Sequence, residues 1–267
     1  LGAEVATLVV VFVGVQREGD PGGDQCLGGG GSAHLSTSHP FTVAVTTKAA
    51  HDPLRRPCSK PDTLVEDARE VRLRHDRRDL WARVHQERAA LADDLRELDD
   101  RQWLAPSLCQ GLSVREVLAH LTAGATLTGP QWLAGVIRCR FDFDRQVAMQ
   151  LANQLGADAD ETLARFDAAV TSTTKPPLPA IVLLGEAIVH GEDIRRALGL
   201  RRRHPLDTLA KVADHYAGSD LTVLARGRIR GLSLVATDSP WRTGGGPQVS
   251  GPILALIMVM TGRTAFL

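Results

Sequence analysis

The sequence predicts a mainly helical fold, a bundle of helices followed by a small α+β portion, and three observations carry that expectation. Leu80, Val84, Leu91, Leu95 and Leu98 recur at spacings of three, four and seven, the period of one buried helix face, while Asp93, Asp94, Arg96 and Glu97 fall on the solvated face. Ser113-Val-Arg-Glu116 has the form of a capping box, in which a serine side chain and a glutamate three residues later satisfy the orphan N–H groups of a helix start. Ile229 to Thr237 alternates apolar and polar in the manner of a strand, with Leu232, Leu234 and Ala236 on one face.

Taken in order, the first seventy or so residues read differently from the rest. Gly28 to Gly31 stand in a row, Pro and Ser clusters follow, and no helical period is sustained. Thr7 to Val15 is apolar but too short to span a bilayer and lacks the basic flank of a secretory signal. The first Met is Met149. Residues 1–74 are therefore expected to be a low-complexity extension, either a disordered native segment or an upstream gene-model extension with true initiation at the codon of Val65 or Val71. Helical patterning begins near Arg77. The capping box opens a second helix with Val114, Val117, Leu118 and Leu121 facing a core, and Gly129-Pro130 stops it. Helices are expected over Gln131 to Leu155 and Ala159 to Thr171, divided at Gly156. Lys175-Pro-Pro-Leu-Pro179 is a stiff connector, and the helix from Ala180 to Leu198 ends at Gly199, a left-handed C-cap. Pro205 opens a helix to about Leu224. The strand at Ile229 to Thr237, a turn at Gly244-Gly-Gly-Pro247, and a short helix from Pro252 to Gly262 complete the chain. The expected division is a bundle over 75–200 and a small α+β domain over 201–267.

Composition narrows the function classes. The 31 acidic and 31 basic residues cancel, leaving no net field to attract nucleic acid or an anionic membrane surface. Four lysines against 27 arginines suggest a GC-rich bacterial genome. Cys26, Cys58, Cys109 and Cys139 have neither C-x-x-C spacing nor a disulfide rhythm, so a reducing cytoplasm is the expected compartment. Cys109 precedes the His120 helix, and its plainer reading is a buried inert thiol.

Two apolar helical stretches are interrupted by groups that bind metals. His120 stands in Val117 to Thr122, and Glu186 and His190 stand in Gly185 to Arg196. A Glu-x-x-x-His pair places both side chains on one helix face, close enough to share an ion. A third ligand from a facing helix would complete a two-His, one-carboxylate site with an open position, the pattern of a catalytic metal rather than a structural one. Plainer readings stand beside it: His120 as a core histidine satisfied by backbone, and Glu186 with His190 as a solvated ion pair. The apolar setting of Leu183, Leu184, Ala187, Ile188 and Val189 favours a partnered, buried carboxylate, whether by metal or by salt bridge.

The runs Trp103 to Thr122 (WLAPSLCQGLSVREVLAHLT), Gly185 to Gly199 (GEAIVHGEDIRRALG) and Ser250 to Arg263 (SGPILALIMVMTGR) resemble the mycothiol-dependent maleylpyruvate isomerase family. The resemblance spans about residues 78–263 and implies a DinB-like metal-binding four-helix bundle. It implies a divalent metal, usually zinc, on His120, Glu186 and His190, with mycothiol as thiol co-substrate. Leu112 stands where many relatives carry Trp, so a pocket wall is expected to differ. The family usually continues past the "TGR" segment, so the resemblance implies a truncated C-terminal domain here.

The activity so implied is a metal-dependent, mycothiol-dependent isomerase or thiol transferase acting on a small, maleylpyruvate-like electrophile, in an actinobacterial cytoplasm. The alternative is a non-catalytic metal-binding protein of the same fold, in stress response or detoxification. Partners are a small-molecule substrate and a low-molecular-weight thiol, with no nucleic acid and no membrane. Asp193 is expected either to accept from the His190 ring or to be an ordinary surface acid. Arg195, Arg242 and Arg263 are candidates for holding a carboxylate or an anionic thiol. For the arginines that follow the metal helix, Arg195, Arg196, Arg201, Arg202 and Arg203, complementing the helix dipole is the competing reading.

Overall fold

The computed structural model describes residues 62–266, with side chains from residue 70. The readings of residues 1–61, including Thr7 to Val15, Cys26 and Cys58, lie outside the described residues. From Arg72 onward the chain forms one compact unit, and residues 62–71, the first turns of a long helix, fall to another. That helix, α1, spans Asp62–Leu95, beginning earlier than the apolar periodicity suggests because its first turns are largely charged and polar. A short α2 (Asp100–Leu104) precedes α3 (Val114–Thr126), α4 (Gly129–Arg138), α5 (Phe143–Gln154), α6 (Ala159–Ala169) and α7 (Ala180–Ala197). Then follow α8 (Leu206–Gly218), α9 (Ala225–Arg228), strands β1 (Ser233–Ala236), β2 (Arg242–Gly244) and β3 (Gln248–Gly251), α10 (Ile253–Met260), and a 3₁₀ turn at Thr264–Phe266. The fold is mainly helical with a small sheet near its C-terminal end.

Helix α3 packs against α5, α6 and α7, and two apolar clusters hold these helices together. One joins Leu91 and Leu95 of α1 to Leu118 of α3, Phe166 of α6 and Ile194 of α7. The other joins Val84 of α1 to Leu184 and Ile188 of α7, Val212 and Tyr216 of α8, and Ile257 of α10. Each such fully buried side chain contributes about 1.5–3 kcal/mol. Because α1 and α7 run through both clusters, the polar groups of α7 are fixed from two sides.

The capping box opens α3 as the sequence predicts: the Glu116 amide donates to the Ser113 side chain, and the Ser113 amide donates to Glu116 at 2.8 Å. Such a cap contributes about 1 kcal/mol. Three expected elements differ. The strand expected over Ile229 to Thr237 is shorter, Ser233–Ala236, and leaves Leu232 outside it. The single helix expected over Gln131 to Leu155 is two, because Arg140 and Phe141 take left-handed backbone with φ of 54° and 64° and reverse the chain. Asp142 then caps α5 by accepting from the Arg145 amide at 2.9 Å. No Gly or Pro marks that break, so the run reads as continuous helix. The helix expected to reach Leu224 stops at Gly218, where Ser219 is extended, and the chain re-enters helix only at Ala225.

The sheet has order β2-β1-β3, with β1 antiparallel to β2 and parallel to β3. Crossing from β2 to β3 over the end of β1 demands a tight turn. Gly246 supplies it, with φ of 116° and a position where a Cβ would lie 2.2 Å from the Gly231 carbonyl oxygen. No helix of the described residues is long and apolar enough to cross a membrane.

A candidate metal centre between two helices

The proline-rich segment ending at Pro179 holds the start of α7, and Leu198 with Gly199, at φ of 73°, ends it. Between these ends α7 is buried almost all round, so its charged residues must find partners inside the protein. Glu186 and His190, one turn apart, face α3, and His120 comes across from that helix. His190 Nε2 lies 3.2 Å and His120 Nε2 3.4 Å from the same Glu186 Oε2. The two imidazoles meet edge to face, with centroids 5.0 Å apart. One ligand atom from each of the three residues lies within 4.8 Å of the others.

The far side of His190 is equally organised. Its Nδ1 lies 3.0 Å from Asp193 Oδ2, and Asp193 is fully buried. Arg263, from the loop after α10, donates to both Asp193 oxygens at 3.1 and 2.7 Å. The Leu108 amide donates to the Asp193 carbonyl at 3.1 Å, strapping the loop before α3 to α7 and bringing the Cys109 thiol to His190. Cys109, His190 and Asp193 thus form a second group of potential ligands sharing His190.

Electrostatics follow from this crowding. Burial opposes ionisation of Glu186, but the adjacent His190 and His120 outweigh it and hold its carboxyl well below the usual carboxylate range. Burial opposes protonation of His190, yet Glu186, Asp193 and Cys109 outweigh it and raise its pKa well above that of an ordinary histidine. Asp193 is likewise held low, against burial, by His190 and Arg263. Burial foremost, then the charge of Glu186, pushes the Tyr216 phenol upward. Tyr216 packs so closely that a Cβ on Gly185 would lie 2.6 Å from its hydroxyl.

The donor set fits a divalent metal. Two imidazole nitrogens and a carboxylate oxygen converge from two helices, and one imidazole is backed by a carboxylate, the arrangement that fixes ring orientation at metal centres. Of the predicted site residues, His120, Glu186, His190, Asp193 and Arg263 come together. Arg195 and Arg242 do not join them. Arg195 is fully buried and committed to Asp94 of α1, with Nε to Oδ2 at 2.6 Å, and Arg242 is exposed on β2 opposite Val235. The neighbouring arginines also pair with carboxylates, Arg196 with Glu192 and Arg202 with Glu87. Tyr216 is not singled out by the sequence, whereas Cys109, in the loop before the His120 helix, lies beside His190. Tyr216 sits at ordinary core spacing, with no local signal to separate it from packing residues.

A helical bundle with a histidine–carboxylate cluster at the junction of two helices defines the class. Residues 84–178 match the family described as the mycothiol maleylpyruvate isomerase N-terminal domain. The matched segment contains His120 and stops before Glu186 and His190. Among solved structures, a histidine-to-alanine mutant of the mycothiol-dependent maleylpyruvate isomerase is similar at 15% identity and a TM-score of 0.50, covering 70% of this chain and 90% of that one. A second crystal structure of the mycothiol-dependent maleylpyruvate isomerase is similar at 17% identity and a TM-score of 0.44, with the same coverage. At 15% identity the first of these is a likeness of fold alone. The comparison with curated proteins gives no match.

Proposed function

We propose that this protein is a metal-dependent enzyme that uses a low-molecular-weight thiol, mycothiol, to isomerise or conjugate a small maleylpyruvate-like electrophile in a reducing cytoplasm. The observation that carries the reading is the convergence of His120 Nε2, Glu186 Oε2 and His190 Nε2, with Asp193 behind the His190 ring. A divalent ion such as zinc, when bound, would lower a thiol's pKa and polarise a carbonyl. The chain's own groups have separate tasks. Asp193 orients His190 and holds the proton of its Nδ1. Arg263 neutralises Asp193, and its position on the wall of a depression of about 120 Å³ that also includes Cys109 makes it a candidate contact for an anionic ligand. Cys109 and Cys139, both free and buried, suit a reducing compartment.

One observation favours the alternative of a non-catalytic metal-binding protein. The cavity bordered by His120 and Glu186 is about 30 Å³, room for one small group rather than for substrate and thiol together. The test separates the two. Zinc-loaded protein is expected to convert maleylpyruvate only when mycothiol is present, with the thiol regenerated in isomerisation or consumed in conjugation. Stoichiometric zinc with no change in substrate or thiol would establish the binding protein instead.

A further inference from the structure

Arg88 lies on α1 and is 4% exposed. Its Nη1 donates to the carbonyl oxygens of Ala169 and Ser172, at and just beyond the end of α6, at 3.4 and 3.0 Å. Among the described residues no carboxylate comes within ion-pair distance of it, and its Nε and Nη2 have no hydrogen-bond partner. Those two nitrogens are not among the sealed, unsatisfied buried atoms, so they reach open space even though the residue is almost wholly buried. Arg88 lines a cavity of about 30 Å³ together with His120, Gly124 and Glu186 and apolar residues that include Leu178 and Val182.

This is an unusual place to keep a cation. Every other buried charged side chain in the described residues, including Glu87, Glu192, Asp193 and Arg195, has an opposite charge beside it. Desolvation lowers the Arg88 pKa to about 10 from its usual 12.5, and among the described residues no opposite charge offsets that cost. The two carbonyls give the guanidinium a helix end to cap but no counter-charge. Gly124 is another lining residue of the same cavity. It stands one turn after His120 on α3, and a Cβ there would meet nothing within 4 Å. Glycine in a helix interior is disfavoured relative to alanine, and no neighbouring atom requires one at this position.

We propose that Arg88 anchors a carboxylate: the cavity is a subsite in which a small organic acid seats its carboxylate on the free Nε and Nη2 edge, beside His120 and Glu186. A planar fork of two donors is the geometry that matches a carboxylate bidentately. The size agrees, since one water needs roughly 10–15 Å³ of such space, and about 30 Å³ therefore takes a single carboxylate group with the rest of the molecule outside. The subsite rests on the proposed metal centre only for what the bound acid is presented to, and the anchor itself belongs to the protein alone.

Acetate and its neutral isostere acetamide are the probes, followed by saturation-transfer NMR on the full chain with and without one equivalent of zinc. Acetate is expected to bind in both forms and acetamide in neither, with sodium chloride at matched ionic strength failing to displace acetate. R88Q keeps an amide able to donate to the Ala169 and Ser172 carbonyls, and is expected to weaken acetate at least ten-fold in the zinc-free protein while leaving zinc stoichiometry unchanged. G124V adds volume at another lining residue of the cavity and is expected to give the same loss. Acetate bound equally by the parent, R88Q and G124V would overturn the proposal, as would absence of acetate binding in the parent or equal binding of acetamide. Failure of the metal reading would show separately, as absence of zinc uptake, while the zinc-free arm still decides the role of Arg88.

Discussion

Replacing His190 with alanine is expected to leave the protein folded but unable to retain zinc through purification, and to remove thiol-dependent turnover by more than about 100-fold. His190 is the one residue shared by both groups of potential ligands, its Nε2 facing Glu186 and its Nδ1 facing Asp193. Removing a group one shell out from a metal already costs about 10–100-fold in affinity or activity, and His190 is a direct ligand in this account. Glu186→Gln is expected to behave differently. The amide keeps the shape between the two histidines but not the charge that helps neutralise a dication, so activity falls more than stability. Elemental analysis, thiol-dependent activity and thermal denaturation of both variants beside the parent provide the check. Full activity in a metal-free His190→Ala protein would exclude metal-assisted chemistry.

The second large effect is on stability and lies outside the site. His204, in the connector between α7 and α8, has Nδ1 3.0 Å from Glu87 Oε2 and Nε2 3.1 Å from Glu192 Oε1. Both ring nitrogens face carboxylates, so the imidazolium form ties α1 to α7, with Arg202 on Glu87 and Arg196 on Glu192 completing the group. Burial works against this charge, but Glu192 and Glu87 outweigh it and raise the His204 pKa above the ordinary value. His204→Ala would leave two buried carboxylates short of a cation, a loss of about 3–5 kcal/mol for a broken buried pair. That is a large share of a total stability of about 5–15 kcal/mol.

The pH dependence has a definite sign. A folded pKa above the unfolded one, about 6.5, means the folded chain holds a proton that the unfolded chain releases. The contribution of His204 is therefore complete below about pH 6.5 and fades as pH rises through the raised folded value. Glu87 and Glu192 are both held low by His204, in each case against burial, so their contribution fades in the opposite direction, as pH falls through their folded values. Denaturant unfolding of parent and His204→Gln at pH 6 and pH 9 should give a stability difference that is larger at pH 6. An equal difference at both values would mean that His204 acts by packing alone.

Much of this was legible in the chain. The i, i+4 pair of Glu186 and His190, set in a run of buried aliphatic residues, announces a polar feature that the core must satisfy, and the capped helix carrying His120 supplies a facing partner. Asp193 follows for the same reason, one turn past His190 on the same face. The fates of the arginines were not legible, because a guanidinium reaches several ångströms and its partner is chosen by tertiary packing. Arg195 finds Asp94 and Arg202 finds Glu87, both on a helix about a hundred residues earlier in the chain. The break at Arg140 and Phe141 was equally hidden, since left-handed backbone without glycine carries no local signature. Cys109 reaches His190 only because the Leu108 amide bonds to the Asp193 carbonyl, a contact between distant segments.

The central claim is that His120, Glu186 and His190 hold one divalent ion, and anomalous diffraction at the zinc edge from crystals of the zinc-loaded protein tests it most directly. The account predicts one peak per chain, about 2.0–2.2 Å from His120 Nε2, His190 Nε2 and a Glu186 oxygen. A peak seated instead among Cys109, His190 and Asp193, or no bound zinc at all, would contradict it.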